Sequence, residues 1–150
     1  VRTKVTLTGK SVFKRLADAV QAEARVTVTA MATQQVKNIK QRTQWTAGAD
    51  DSPMPALSSS YAKRKRGRKI RNLRQSGQMM RDLKAFVAKK SGAGWEGWVQ
   101  FKDQRSARIA AWNQARAKWF AFSPNDTRVL MRKMEGFAAR VKARLSGGGA

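Results

Sequence analysis

Apolar and polar positions alternate over the first eight residues, with Val1, Thr3, Val5 and Leu7 against Arg2, Lys4, Thr6 and Thr8. A period of two is that of a strand. It fits a terminal strand in the chain's own sheet, or an extended arm that adds to a neighbour's. Gly9 ends the alternation, and from Ser11 to about Arg42 the period changes. Val12, Leu16, Val20, Ala24, Val28, Met31 and Ile39 recur in steps of three, four or eight, which predicts one long helix with an apolar stripe. Val26-Thr27-Val28-Thr29 is β-branched throughout, so a bend is expected there.

Residues 43–60 break both periods with Gly48, Asp50, Asp51, Pro53, Pro55 and three serines, and read as a loop. Trp45 and Leu57 flank it and are expected to pin it to the core. Ser58-Ser59-Ser60 offers a cap for a short helix carrying Tyr61, which Gly67 interrupts. Ser76 offers another, for a short helix through Met79, Met80 and Leu83. A hairpin follows: Leu83 to Lys90, a turn at Ser91-Gly92-Ala93-Gly94, and a return from Trp95 to Lys102. In the return strand Trp95, Gly97, Val99 and Phe101 share one side, and Glu96, Trp98, Gln100 and Lys102 the other. Trp98 on the polar side implies that this side is also covered, by the long helix or by another subunit.

Asp103 to Gln114 reads as a short helix, and Trp119-Phe120-Ala121-Phe122 as a short apolar strand. Ser123-Pro124-Asn125-Asp126 supplies an N-cap, a proline at the first helical position and an acid at the third, all of which favour a helix start. That last helix carries Leu130, Met134, Phe137, Val141 and Leu145 on one stripe, until Gly147 to Gly149 end it. Of its Arg132, Lys133, Arg140, Lys142 and Arg144, most read as ordinary complements to the helix dipole. The fold class is therefore α+β: a long N-terminal helix, a small antiparallel sheet with short helices, a C-terminal helix and an extended N-terminal arm. One domain over residues 1–150 is expected, with 1–9 as arm or edge strand and 146–150 as a flexible tail.

Charge changes the picture more than composition does. With 32 Lys and Arg against nine Asp and Glu, the formal net charge is +23, and there is no histidine or cysteine. Charge of one sign repels itself, so a very negative neighbour is expected: DNA, RNA, an anionic membrane or an acidic protein. The densest block is Lys63, Arg64, Lys65, Arg66, Arg68, Lys69, Arg71 and Arg74, with no acid among them. It would meet DNA phosphates or an acidic neighbour, or remain a solvated loop. Four or five phosphate contacts would give a slope of log K against log salt of about −4.

Trp95, Trp98, Trp112 and Trp119 are candidates for core or for an interface, with Trp98 the interface candidate on pattern grounds. No apolar run approaches the roughly 20 residues that span a bilayer, and the first seven residues alternate too regularly for a signal peptide, so a soluble protein made in the cytoplasm is expected. Without His or Cys the commonest general base, a reactive thiol and most zinc sites are ruled out. Asp50-Asp51 reads as loop punctuation rather than a metal chelate. No enzyme, cofactor or metal is expected.

From about Gly48 to Leu145 the chain resembles the phage virion-morphogenesis or tail-completion family. Asp50 to Leu57 stands where that family has an Asp-Gly-x-Pro-like loop ending near a Leu, and Lys63 to Lys69 where it has a basic segment. Ala107 to Gln114 stands for an Ala-x-x-His-Gln-x-Gly-like stretch, and Trp119 to Asp126 follows the place of an Arg-Pro-hydrophobic-Gly-Phe-like strand. The departures are Asp51 for Gly, Trp112 or Asn113 for His, Ala115 for the Gly after it, and Ala117-Lys118 for Arg-Pro. The resemblance implies a neck or tail-terminator subunit that forms a ring, hexameric in many relatives, between head and tail in the virion. Its partners would be itself, the tail tube or sheath, and head-closure or connector proteins, with phage DNA passing through the lumen. Val1, Val5, Leu7 and Trp98 would lie at the subunit interface. The competing reading is a basic DNA-binding or packaging protein that contacts phosphates without sequence specificity.

Overall fold

The computed structural model describes residues 9–64, 77–90 and 94–147. The arm with Val1, Val5 and Leu7, most of the basic block, Gly67, Ser76 and most of the hairpin turn lie outside the described residues. In chain order the elements are α1 (Gly9–Gln44), α2 (Ser59–Arg64), α3 (Gln78–Asp82), β1 (Leu83–Lys90), β2 (Gly94–Phe101), α4 (Gln104–Gln114), α5 (Pro124–Met134) and α6 (Phe137–Gly147). The architecture is mixed α+β: a long helix, a two-stranded antiparallel sheet, short helices and a C-terminal helix.

The 36-residue α1 is about 54 Å long, and β1, β2, α5 and α6 pack against it, while α3 and α4 pack on each other and on the sheet. It runs through Val26–Thr29 without a break, because the helix itself absorbs the threonine hydroxyls. Thr29 Oγ1 donates to the Arg25 carbonyl (2.7 Å), and Thr27 Oγ1 to the Glu23 carboxylate (3.4 Å). The buried face differs from the expected stripe. Val12 and Leu16 are exposed, and the inward positions are Glu23, Thr27, Ala32, Gln35, Ile39, Arg42 and Thr43.

β1 and β2 pair from Leu83↔Phe101 to Lys90↔Gly94. The side of β2 carrying Gly97 lies on α1 so closely that a Cβ there would sit 2.8 Å from Val28 Cγ1 and 3.2 Å from Ala32 Cβ. Only glycine allows this approach, and it fixes how near helix and sheet can come. On the other side Trp98 stacks on its cross-strand partner Phe86, with ring centroids 6.1 Å apart and 17° between planes. The long helix does not cover that side, contrary to one of the two expectations, and Trp98 remains 40 % exposed.

Ile39, Met54, Met79, Met80, Leu83, Ala110, Ala117 and Trp119 form the core, with Val36, Val99, Phe101 and Phe120 packed against it. Phe101, Trp119 and Phe120 make a tilted aromatic trio with centroids 5.5 to 6.2 Å apart. Met54, not Trp45, anchors the loop between α1 and α2; Trp45 is 72 % exposed. The loop folds on itself through Gly48 N–H to the Ser52 carbonyl (2.7 Å) and Met54 N–H to the Thr46 carbonyl (2.6 Å). Asp50 accepts from the Ser52 hydroxyl and N–H, which hold its carboxyl below the ordinary range. The Asp50-Asp51 pair is indeed loop punctuation.

Two expectations near the C-terminus fail for clear reasons. Trp119–Phe122 is no strand, because side chains satisfy its backbone instead of a ladder. Gln114 Oε1 accepts from Trp119 N–H (3.0 Å) and Phe120 N–H (2.9 Å), and the Trp119 and Ala121 carbonyls face Arg42. The last helix is two helices, broken at Glu135-Gly136, where Gly136 takes φ +74°. Arg140 fills that break. Its Nη atoms donate to the Lys133 and Glu135 carbonyls, and its Nε to Glu23 of α1 (2.6 Å), which also accepts from Arg144 Nε (2.9 Å). Arg140 and Arg144 are therefore not ordinary dipole complements but the joint that fastens α6 to α1. The Arg140 and Arg144 hydrogen bonds hold the Glu23 carboxyl below its ordinary value of 4.5.

Candidate functional site

Among the described residues two surfaces are candidates for function, and one buried cluster positions the second of them. The first surface is basic and aromatic. Of the eight candidate cations, the structure describes Lys63 and Arg64, at the end of α2; Lys65, Arg66, Arg68, Lys69, Arg71 and Arg74 lie outside the described residues. The Arg64 guanidinium lies over the Tyr61 ring, 5.5 Å from its centroid. Across a shallow cavity of about 260 Å³, Arg116 lies over Trp112 at 3.6 Å, with Nη1 donating to the Trp112 carbonyl (3.0 Å). Two guanidiniums thus stand stacked on aromatic faces, a posture that fixes the planar group and leaves edge N–H donors for an anion. Sequence reasoning saw Arg64 and Trp112 separately. Arg116 was not singled out, although its four-residue spacing from Trp112 on a helix end is a visible signal.

The second surface is apolar. A groove of about 580 Å³ lies between α1, β2 and the segment that leads into α5, with Val28, Met31, Gly97, Trp98, Phe122 and Leu130 among its walls. None of the side chains lining it is ionisable. Phe122 is 64 % exposed at its rim, and Trp98 stands at another part of the rim, so the interface candidate belongs to this groove. Val1, Val5 and Leu7, the other interface candidates, are outside the described residues.

The groove has its shape because a buried polar cluster holds the 119–126 segment against α1. Asp126 closes a capping box with Ser123: Asp126 N–H donates to Ser123 Oγ (3.0 Å), and Ser123 N–H to Asp126 Oδ2 (3.1 Å). The same Oδ2 accepts from Gln35 Nε2 (3.1 Å) and from Arg42 Nη1, and both charged side chains are about 5 % exposed. Arg42 Nη2 donates to the Trp119 carbonyl (2.8 Å) and the Ala121 carbonyl (2.9 Å). Gln35 Oε1 is buried beside the groove without a hydrogen-bond partner. Asp126 was recognised in the sequence as a helix-start acid. Gln35 and Arg42 were not, because a helix stripe is sought among apolar residues.

Among the described residues no group of three or more acidic, His or Cys side chains could hold a metal ion, and no helix is long and apolar enough to cross a membrane. No protein-family model, no curated protein and no solved structure matches this sequence.

Proposed function

We propose that this chain is a structural subunit of a tailed-phage virion, of the neck or tail-completion type, which assembles into a ring that DNA crosses. The observation that carries the reading is apolar surface left open on a folded chain: the first turns of α1 and the groove beside β2. Contiguous exposed apolar surface on a highly charged protein marks a contact with another macromolecule. The order of long helix, Asp-Pro loop, hairpin, α4 and capped final helices supports the family resemblance, whereas Trp119–Phe122, where that family has a strand, is irregular here. In that setting the basic block would face the DNA or an acidic neighbouring ring, and the tail tube or sheath and head-closure proteins would be the other partners.

The stacked pairs Arg64–Tyr61 and Arg116–Trp112 favour a second reading, a DNA-binding or packaging protein that grips phosphates. Light scattering of the purified protein in high salt, with and without short duplex DNA, separates the two. A discrete oligomer without DNA is expected under the first. A monomer that binds duplex with a log–log salt slope of about −4 would replace it with the second.

A further inference from the structure

The start of α1, exposed among the described residues, and the uncharged groove fit each other, and one molecule cannot bring them together. Val12, Phe13 and Leu16 fall within a sector of roughly 100° on the helix, and Lys14, Arg15 and Asp18 fall on the other side. Phe13 is 73 % exposed and Val12 56 %. An amphipathic helix end of this kind is what an apolar groove takes, with anchors at i, i+1 and i+4. Within one chain the same straight helix carries both parts, and Phe13 precedes the groove residue Val28 by about 22 Å along its axis.

We propose that the α1 start of one copy docks into the groove of the next, with Phe13 seated between Val28, Trp98 and Phe122. The occupant is a second copy because this chain itself displays the complementary piece. The groove's lack of ionisable side chains also makes it a place where two copies of a +23 chain meet without opposing charges inside the contact. Knob and hole are different surfaces, so the contact is heterologous. Each subunit gives one and receives one, and repetition closes a ring or extends a filament. This inference rests on the assembly reading above and adds the surfaces that would make it.

The chain has no cysteine, so introduced thiols report without background. Phe13→Cys and Phe122→Cys are made separately at exposed positions, checked for native circular dichroism, mixed, and treated with a short bis-maleimide. The expected result is a one-to-one cross-linked dimer from the mixture, a ladder from the double variant, and no dimer from either single variant. A Leu16→Asp change in the Phe13→Cys chain is expected to abolish the product. Discrete oligomers by light scattering without the 13–122 product would overturn this contact and leave the assembly reading standing. Dimers of Phe13→Cys with itself would overturn it in favour of a symmetric pair. A protein monomeric at millimolar concentration would overturn the contact and remove self-assembly from the proposed function as well.

Discussion

The two ends of α1 invert the usual rule of burial. Its C-terminal part buries Gln35, Arg42 and Thr43, and its N-terminal part exposes Val12, Phe13 and Leu16. Side-chain polarity does not decide which part is inside; the partners do. Around Arg42 stand the Trp119 and Ala121 carbonyls and the buried Asp126 carboxylate, and one guanidinium donates to all three. Around Phe13 no described residue closes over the ring, which is 73 % exposed. The comparison teaches that the apolar stripe of a long helix marks what could be buried, and that long-range polar partners mark what is.

The sharpest way to break the contrast is Arg42→Ala. It strands Asp126 in the interior and unbinds the Trp119 and Ala121 carbonyls, and it should cost about 3–5 kcal/mol in urea unfolding. A loss within 0.5 kcal/mol of zero would mean that water reaches the cluster. Next comes Gly97→Ala, which pushes a Cβ into Val28 and Ala32 where α1 meets β2. About 1–3 kcal/mol of destabilisation is expected, visible as a lower denaturation midpoint at unchanged m-value.

Acid tests the middle of the helix, where Glu23 faces two arginines that are themselves more than two-fifths exposed. Glu23 is held below its ordinary 4.5, so its contribution is fully present above that pH and is lost as pH falls through the lowered folded value. A Glu23→Gln protein should show a flatter stability profile below pH 4.5 than the parent; identical profiles would remove the joint's electrostatic role. The smallest effect is expected at the exposed end. Measured at a concentration where the protein is monomeric, Phe13→Ser should leave the unfolding free energy within about 0.5 kcal/mol of the parent, so a large loss there would show that Phe13 is packed within its own chain.

Much of the frame was legible in the sequence. The Leu83–Lys90 and Gly94–Phe101 hairpin, the Asp103 start of α4 and the Ser123 cap all follow from local periodicity and cap chemistry, whereas the side of β2 that meets the helix did not. What was not legible depends on partners distant in sequence. Arg42 and Gln35 meet Asp126 more than 80 residues away, and Gln114 takes two N–H groups that would otherwise have sought a strand. The break at Gly136 was hidden because Leu130, Met134, Phe137, Val141 and Leu145 keep a helical spacing across it. The glycine itself was the available signal. For the candidate surfaces, Trp98 was singled out as an interface residue and proves 40 % exposed, but the groove beside it needed Val28 and Phe122, distant in sequence, to be brought together.

The buried cluster also has a bearing on how the chain is made. Translation delivers Gln35 and Arg42 long before Trp119, Ala121 and Asp126 exist to receive them. Until then the inner face of the nascent helix presents an amide, a guanidinium and a carboxylate to water rather than a continuous greasy seam. Partly made chains are most at risk when they display such seams to one another. The polar residues that later lock the fold also interrupt that seam while their distant partners are still unmade.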